Sequence, residues 1–424
     1  MEFESLADYI EALQQVWSVR AIIASSLVGI MLGVLGCFIV LRNMSLIGDA
    51  LSHAVLPGIV VAFLIIGYST IGFFVGASFA GLLTAIVISW IQQNVETKND
   101  AAVGIIFTAM FSIGVMGISW ISREGGVHLD LDHFLFGNVL GVTNEDLWLS
   151  FSVTLYTITC TVLFYRYLFV TTFQPTIAQT MGISPKIVHY FLMMLLSFAI
   201  VASLSTVGVI LVVSMLVTPA ATALLISNRL KWVIVISATI GLLSTNIGYL
   251  IALLYGTTPA PAMTIVATLF YFLAVFFSPS KGLLLKMNQN WNEKKRIIRE
   301  DILRQVIKNP VTVGMSVKAI AKNLNLSIGK VKSFAQTMSK SSLITTTQND
   351  ILILSDEGIK KAEKLVRAHR LWETYQVRQM GLNSNQIHNE ADQLEHFLSE
   401  ELIDEIDKEL GYPINDPHDS PIPR

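Results

Sequence analysis

Long apolar stretches recur through the first two thirds of the chain and limit what it can fold into. A helix of about 20 apolar residues spans the hydrocarbon core of a bilayer. Stretches near or above that length fall at 18–41, 50–68, 71–92, 101–121, 147–170, 189–204, 206–227, 232–255 and 260–278. Of all residues, 53% are hydrophobic and only 14% are charged, which is typical of membrane proteins. We predict an all-α polytopic membrane domain with eight or nine transmembrane helices.

Charge divides the chain into three parts. Residues 1–289 hold 10 Lys and Arg and 12 Asp and Glu, residues 290–355 hold 11 and 4, and residues 356–424 hold 8 and 15. We therefore predict a membrane domain at 1–285 and soluble domains at 286–355 and 356–424. Basic residues follow the last apolar stretch, so the positive-inside rule places the C-terminus in the cytoplasm. The N-terminus would then lie inside with eight spans and outside with nine.

Two ionisable residues lie at the start of the second apolar stretch. Asp49 and His53 are four positions apart, so on a helix their side chains share one face. Ionisable residues in a membrane are costly and usually face a pathway, and a carboxylate with an imidazole suits a divalent transition metal. We predict a metal route through the membrane. The alternative is a histidine paired with a carboxylate only to hold two helices together.

The segment 44–58, which contains this pair, closely resembles the signature of the permease subunits of ATP-driven manganese, zinc and iron importers. The similarity continues through 132–138, 207–212 and 216–223 and covers roughly residues 1–285. It implies that Asp49 and His53 hold the transported ion in a bacterial cell (inner) membrane. It also implies three partners: an ABC ATPase, an extracytoplasmic metal-binding protein, and a second copy of the chain or a sister permease. The resemblance favours eight spans.

A polar connection at 171–186 separates two of the apolar stretches. The resemblance implies that a short helix here docks into the ATPase, with Gln174, Ala178 and Gly182 as the coupling positions. An ordinary surface loop is the alternative. The chain has no Gly-x-x-x-x-Gly-Lys-[Ser/Thr] motif to cradle phosphates. We expect a separate subunit to hydrolyse ATP and this chain to be no enzyme.

After residue 286 the pattern changes to that of soluble helices with charged faces. The segment 297–355 predicts three helices and two strands, with helix–turn–helix spacing at 315–334 and a two-stranded wing at 343–354. Lys330 and Lys332 are candidate contacts to DNA or to anionic lipid. The basic charge of this part favours an anionic partner, but the wing residues 345–350 include no basic side chain.

Two predicted helix faces near the C-terminus carry residues typical of metal ligands. One face repeats the i, i+4 spacing of Asp49 and His53 with His369 and Glu373. The other has residues at i, i+4, i+7 and i+8, namely His388, Asp392, Glu395 and His396. Solvated charged faces are the alternative. The segments 367–374 and 387–396 strongly resemble the metal-sensing and dimerisation helices of iron- and manganese-dependent repressors, the diphtheria toxin repressor class.

That second resemblance implies two metal sites. Their ligands would be His369, Glu373 and His388 in one, and Asp392, Glu395, His396 and Asp301 in the other. Asp392 stands where iron-sensing members have Cys, and an oxygen donor favours Mn²⁺. Arg304 stands where manganese sensors have a carboxylate, a departure that puts a two-manganese cluster in doubt.

Together, the two resemblances predict a permease for a divalent metal, Mn²⁺ first with Zn²⁺ or Fe²⁺ as alternatives, whose cytoplasmic sensor gives feedback control. The competing hypothesis is a membrane-tethered, metal-dependent transcriptional regulator that binds DNA.

Overall fold

The computed structural model describes residues 11–96, 98–125, 137–310, 313–382, 394 and 396–424. The chain divides into two compact units, Met1–Leu285 and Lys286–Arg424. All described elements of the first unit are helical, as its apolar composition predicts. They are α1 (Val16–Leu41), α2 (Ser45–Ala54), α3 (Leu56–Ile66), α4 (Thr70–Asn94), α5 (Asn99–Gly125), a 3-10 turn (Val139–Gly141), α6 (Asn144–Leu163), α7 (Tyr165–Phe173), α8 (Pro175–Thr180), α9 (Pro185–Ile226), α10 (Leu230–Tyr255) and α11 (Pro259–Phe277).

Eight helical segments in the described part of the chain are long and apolar enough to cross a membrane, which confirms the prediction of a polytopic helical domain. Helices α2 and α3 together form one of these segments, Ser45–Ile66. The predicted stretch 50–68 therefore begins too late, because the polar positions of α2 hide its start. Pro57 lies in the first turn of α3, where its missing N–H breaks no helical hydrogen bond.

Helix α9 contains the predicted stretch 189–204 and all but the last residue of 206–227. Its 42 residues are interrupted at Gly208, whose φ of 76° and ψ of 169° are not helical. A side chain at Gly137 would lie 2.3 Å from the carbonyl carbon of Val207, so the chain before α6 passes directly against this interruption. The sequence 204–208 is thus a break inside a helix rather than a loop.

Both ends of α9 lie on one face of the helical bundle. Helices α1 and α10 are antiparallel, since Tyr249 Oη donates to Ser18 Oγ at 2.8 Å and Cys37 lies beside Val233. Helix α9 begins beside the end of α4, where Ser89 Oγ lies 2.9 Å from His189 Nε2. It ends beside the end of α11, where the hydroxyl of the residue after α11 donates to the Leu225 carbonyl. If successive spans alternate in direction, a single crossing by α9 would make α1 and α10 parallel. Their antiparallel packing therefore implies that α9 crosses twice, so that the eight segments make nine crossings.

Small residues allow α1 and α10 to approach closely. A methyl group on Gly29 would lie 2.7 Å from the carbonyl oxygen of Gly241, and one on Gly33 would lie 2.9 Å from that of Ser237. Without a hydrophobic driving force between helices in lipid, such backbone proximity supplies the packing that holds spans together.

The second unit opens with a winged helix. Its sheet has the strand order β1-β3-β2 with both pairings antiparallel, and a core that includes Ile302, Val331 and Leu352 is fully buried. The predicted three helices and two strands are present, and the two-residue strand β1 is an addition. The remaining elements among the described residues are α12 (Leu283–Ile307), β1 (Met315–Ser316), α13 (Val317–Asn323), α14 (Ile328–Lys340), β2 (Ile344–Thr346), β3 (Ile351–Leu354), α15 (Asp356–Arg378) and α16 (Glu400–Glu409).

Ion pairs join α15 to α16. Arg367 donates to Asp407 Oδ2 at 2.8 Å and pairs with Asp404 Oδ1 at 2.9 Å. Burial lowers the pKa of Arg367, but the hydrogen bonds and charges of these two carboxylates outweigh burial and raise the pKa overall. The guanidinium therefore stays charged and holds the two helices together.

Candidate metal sites

The membrane pair lies on α2 in the predicted geometry. His53 Nε2 is 3.7 Å from Asp49 Oδ1, and the side chains are 18% and 49% exposed, respectively. Two ligand atoms that share an ion at about 2.0–2.2 Å each lie roughly 3–4 Å apart. One ion would therefore fit between these two side chains without movement of the helix.

Aromatic rings hold His53 in place. The rings of Phe107 and Phe111 on α5 lie 5.4 and 5.3 Å from the imidazole, measured between centroids. They form an apolar wall on one side of the imidazole, while Asp49 is the more exposed partner. These two residues were not predicted from the sequence, because nothing in a span of mostly apolar side chains singles out two phenylalanines.

Glycines let helices α2 and α3 sit deep in the bundle. A methyl group on Gly48 would lie 2.2 Å from Leu216 Cδ2, and one on Gly58 would lie 2.1 Å from the Gly76 carbonyl oxygen. The segment 44–58 thus combines two candidate ligands with the small residues that bring α9 and α4 against them.

The proposed coupling positions lie around the short helix α8. Gln174 precedes it with non-helical φ and ψ, and Ala178 is fully buried. Gly182 takes a positive φ of 76°, and the next residue donates from its N–H to the Ala178 carbonyl at 2.9 Å, which ends the helix in the manner expected of a glycine. Ala178 therefore packs inward, whereas the large hydrophobic side chains of Ile177 and Met181 are exposed.

In the second unit, the pair His369 and Glu373 lies on α15. His369 Nε2 is 3.1 Å from Glu373 Oε1, and both residues are buried, at 8% and 1% exposure. A carboxylate with so little exposure needs a cationic partner or a metal. The third proposed ligand, His388, lies outside the described residues.

His396 contacts two carboxylates of α12. Its Nδ1 is 2.8 Å from Glu300 Oε2, and its Nε2 is 3.3 Å from Asp301 Oδ1. Asp301 and His396, which were predicted to share a site, thus lie close together. Glu300 was not singled out from the sequence, although it directly precedes Asp301 on the helix. Asp392 and Glu395 lie outside the described residues.

Within the described ranges, no three His, Cys, Asp or Glu side chains converge on a single point. At His396 the two carboxylates approach opposite ring nitrogens and cannot share one ion. Each candidate site therefore brings two predicted ligands together within the described residues, at a separation that one divalent ion could bridge.

The lysines of the helix–turn–helix differ in their surroundings. Lys332 Nζ on α14 is 2.7 Å from Asp350 Oδ2 in the wing turn, so part of its charge is neutralised within the domain. Lys330 lies one turn from the N-cap Ser327, whose hydroxyl accepts from its backbone N–H.

The fold defines a polytopic helical membrane unit joined to a second unit that begins with a winged helix. Residues 14–278 match the ABC 3 transport family, and residues 355–424 match the iron dependent repressor, metal binding and dimerisation domain. The chain belongs to the ABC 3 transport family, and it carries a repressor-type domain at its C-terminal end.

Two relatives and one solved structure illustrate the similarity. The chain is 44% identical over 293 residues to the manganese transport system membrane protein MntC of Halalkalibacterium halodurans, covering 69% of this chain and 95% of that protein. It is 32% identical over 386 residues to MntC of Bacillus subtilis, covering 89% of this chain and 88% of that protein. This alignment is longer than the membrane unit and therefore extends into the second unit. PsaBC from Streptococcus pneumoniae in complex with Fab matches with a TM-score of 0.59 and 36% identity, covering 65% of this chain and 98% of that one.

Proposed function

We propose that this chain is the permease subunit of an ATP-driven importer of a divalent transition metal, with Mn²⁺ as the first candidate and Zn²⁺ or Fe²⁺ as alternatives. The observation that carries the proposal is the Asp49–His53 pair, 3.7 Å apart on a membrane helix. Its mixed nitrogen and oxygen ligands suit these metals and disfavour Cu⁺, which prefers sulfur. The relatives named for manganese transport support the choice of Mn²⁺.

The membrane site would be completed by a second permease. One chain supplies two ligands within its described residues, fewer than a transition metal takes. A second copy or a sister permease across a two-fold axis would bring a matching pair to the same place. An extracytoplasmic protein would deliver the ion, and an ATPase would dock on the cytoplasmic face around Gln174, Ala178 and Gly182.

The second unit would act as a cytoplasmic metal sensor. In this proposal residues 286–355 are a linker and winged helix, and 356–424 a metal-binding and dimerisation domain. One sensor site would use His369, Glu373 and His388, and the other Asp301, Asp392, Glu395 and His396. The described pairs in both sites have separations that one ion can bridge. Metal bound there would favour an inhibited permease, so that the imported ion limits its own uptake.

Reconstitution tests this function. The full chain and its ATPase would be placed together in vesicles, and ATP-dependent accumulation of Mn²⁺ would be measured with Zn²⁺ and Fe²⁺ as competitors. We expect uptake that requires ATP and saturates with Mn²⁺. Vesicles that accumulate none of the three metals when ATP is supplied would contradict the proposal.

A membrane-tethered transcriptional regulator is the second candidate, because residues 290–355 hold 11 Lys and Arg against 4 Asp and Glu. The pairing of Lys332 with Asp350 weakens this alternative, since the lysine would have to leave its partner to contact a phosphate. Metal-dependent binding of the full chain in nanodiscs to double-stranded DNA, weakening steeply with salt, would favour it.

A further inference from the structure

Arg42 stands at the start of the segment that carries the membrane metal ligands. It follows the last residue of α1, and α2 begins at Ser45. Between them Asn43 has a left-handed φ of 56°, so the connection is a tight turn and not a flexible linker. A displacement of Arg42 is therefore passed directly to α2, which holds Asp49 and His53.

The guanidinium of Arg42 binds the last turn of α7. Its Nη2 donates to Thr171 Oγ1 at 2.9 Å and its Nε to Thr172 Oγ1 at 3.1 Å. The two hydroxyls donate in turn to backbone carbonyls one turn earlier, at 2.8 and 2.6 Å, which orients their oxygens. A planar guanidinium held by two bonds is fixed in direction as well as position. The carbonyl end of α7 also favours a positive charge.

The coupling segment follows at once, since α7 ends at Phe173 and α8 begins at Pro175. Arg42 is thus a short polar bridge between the segment where the ATPase would dock and the helix that would hold the ion. We propose that Arg42 is a positioning residue that transmits movement of α7 and α8 to α2. This inference rests on the proposed function, because it requires an ATPase that moves the coupling segment.

The test uses the full chain with its ATPase in vesicles and measures Mn²⁺ uptake and ATP hydrolysis on the same preparation. Arg42→Ala removes both bonds, and a Thr171→Val/Thr172→Val double variant removes the acceptors while keeping the side-chain shape. Arg166→Ala is the matched control, because Arg166 lies on the same helix α7 with an exposed side chain. Arg42→Lys keeps the positive charge but has one nitrogen in place of the two that bind the threonine hydroxyls.

We expect Arg42→Ala to reduce the Mn²⁺ transported per ATP by about tenfold, the scale of losing hydrogen bonds to a charged group, with ATP hydrolysis within about twofold of the unaltered complex. The threonine double variant should reproduce this loss, and adding it to Arg42→Ala should cause no further loss, because both remove one interaction. Arg42→Lys should restore part of the Mn²⁺ transported per ATP that Arg42→Ala loses. Arg166→Ala should leave this ratio unchanged.

A second measurement separates transmission from a merely structural role. In hydrogen exchange on nanodisc complexes, a non-hydrolysable ATP analogue should change protection at both α8 and α2 in the unaltered chain, but only at α8 in Arg42→Ala. An unchanged transport ratio in Arg42→Ala or in the threonine variant, or an unchanged response at α2, would overturn the inference. Failure of the proposed function would instead show as absence of ATP-dependent uptake by the unaltered complex.

Discussion

Glu300 Oε2 lies 2.8 Å from His396 Nδ1, while Asp301, the next residue of α12, faces the opposite ring nitrogen at 3.3 Å. If Nδ1 carries the proton and donates a hydrogen bond to Glu300, Nε2 directs its lone pair toward the Asp301 side. Metal-binding histidines commonly donate their second N–H to a carboxylate in this way. Arg296 adds a bond to the His396 carbonyl at 3.1 Å, so the same helix holds both backbone and ring.

Replacement of Glu300 should therefore weaken metal binding without removing a ligand. We expect Glu300→Ala to reduce Mn²⁺ affinity about 10- to 100-fold, the usual cost of losing such a partner. Glu300→Gln should lose less, because its amide oxygen still accepts a hydrogen bond. Calorimetry on the full chain bearing Asp49→Ala and His53→Ala would report binding at the second unit alone.

The control for this prediction is Glu293→Gln, since Glu293 is an exposed carboxylate on the same helix. It should bind Mn²⁺ as tightly as the unaltered unit. Equal affinities for Glu300→Ala and Glu293→Gln would mean that the ring of His396 needs no support from Glu300.

Much of the architecture follows from sequence period and composition. The lengths of the apolar stretches predicted the spans, and the change to amphipathic periodicity after residue 286 predicted the winged helix. The sequence indicated only part of the interruption at Gly208, as a short polar segment between two apolar stretches. Its consequence, one helix that turns back, depends on the close approach of Gly137, and no local pattern encodes that contact.

From the residues alone, the candidate sites were predictable only where ligands repeat at helical spacing, whereas the approach of Asp301 to His396 was predicted from the resemblance to repressors. Asp49 with His53 and His369 with Glu373 are i, i+4 pairs, and both are close in space. Glu300 contacts a histidine almost a hundred positions away, and Arg42 contacts threonines far along the chain. Such partners arise from tertiary packing, so neither was found from the sequence.

Removal of either membrane ligand should stop transport. We expect Asp49→Ala and His53→Ala each to reduce Mn²⁺ uptake by roughly a hundredfold or more, because each deletes one of two ligands that a chain offers to the ion and such losses exceed about 2.7 kcal/mol. Both variants should still co-purify with the ATPase, since the docking segment is unaltered. Asp100→Ala, at an exposed carboxylate at the start of α5, is the control, and uptake at its level by either variant would rule out the assignment.

Metal binding to the second unit should weaken as pH falls. The proposed ligands His369, His388 and His396 bind metal only when neutral, so protons compete with the metal for each ring nitrogen. Affinity should therefore decline progressively as pH falls from about 8 to 5, the range in which histidine side chains change charge. Calorimetry at a series of pH values checks this, and a constant affinity across that range would exclude histidine ligands.

Feedback by the sensor requires a stiff connection to the permease. Trp291 lies within α12, where Lys295 sits 3.6 Å above its ring, one helical turn further on. A Gly-Ser insertion after Trp291 would interrupt this helix and leave every proposed ligand in place. We expect Mn²⁺ on the sensor side of reconstituted vesicles to slow transport by the unaltered complex, and the insertion to abolish that inhibition. Deletion of residues 290–424 should do the same, with basal uptake retained.

The size of the inhibition depends on how differently the sensor binds metal in its two states. A ligand with equal affinity for both shifts nothing, whereas a hundredfold preference for the inhibited state supplies about 2.7 kcal/mol. The same Gly-Ser stretch placed between Gln348 and Asn349, in the exposed wing turn, is the control and should leave inhibition intact because α12 remains continuous. If the truncated and full-length complexes respond identically to metal on the sensor side, the second unit does not regulate transport, and a DNA-binding role becomes the better explanation of its basic winged helix.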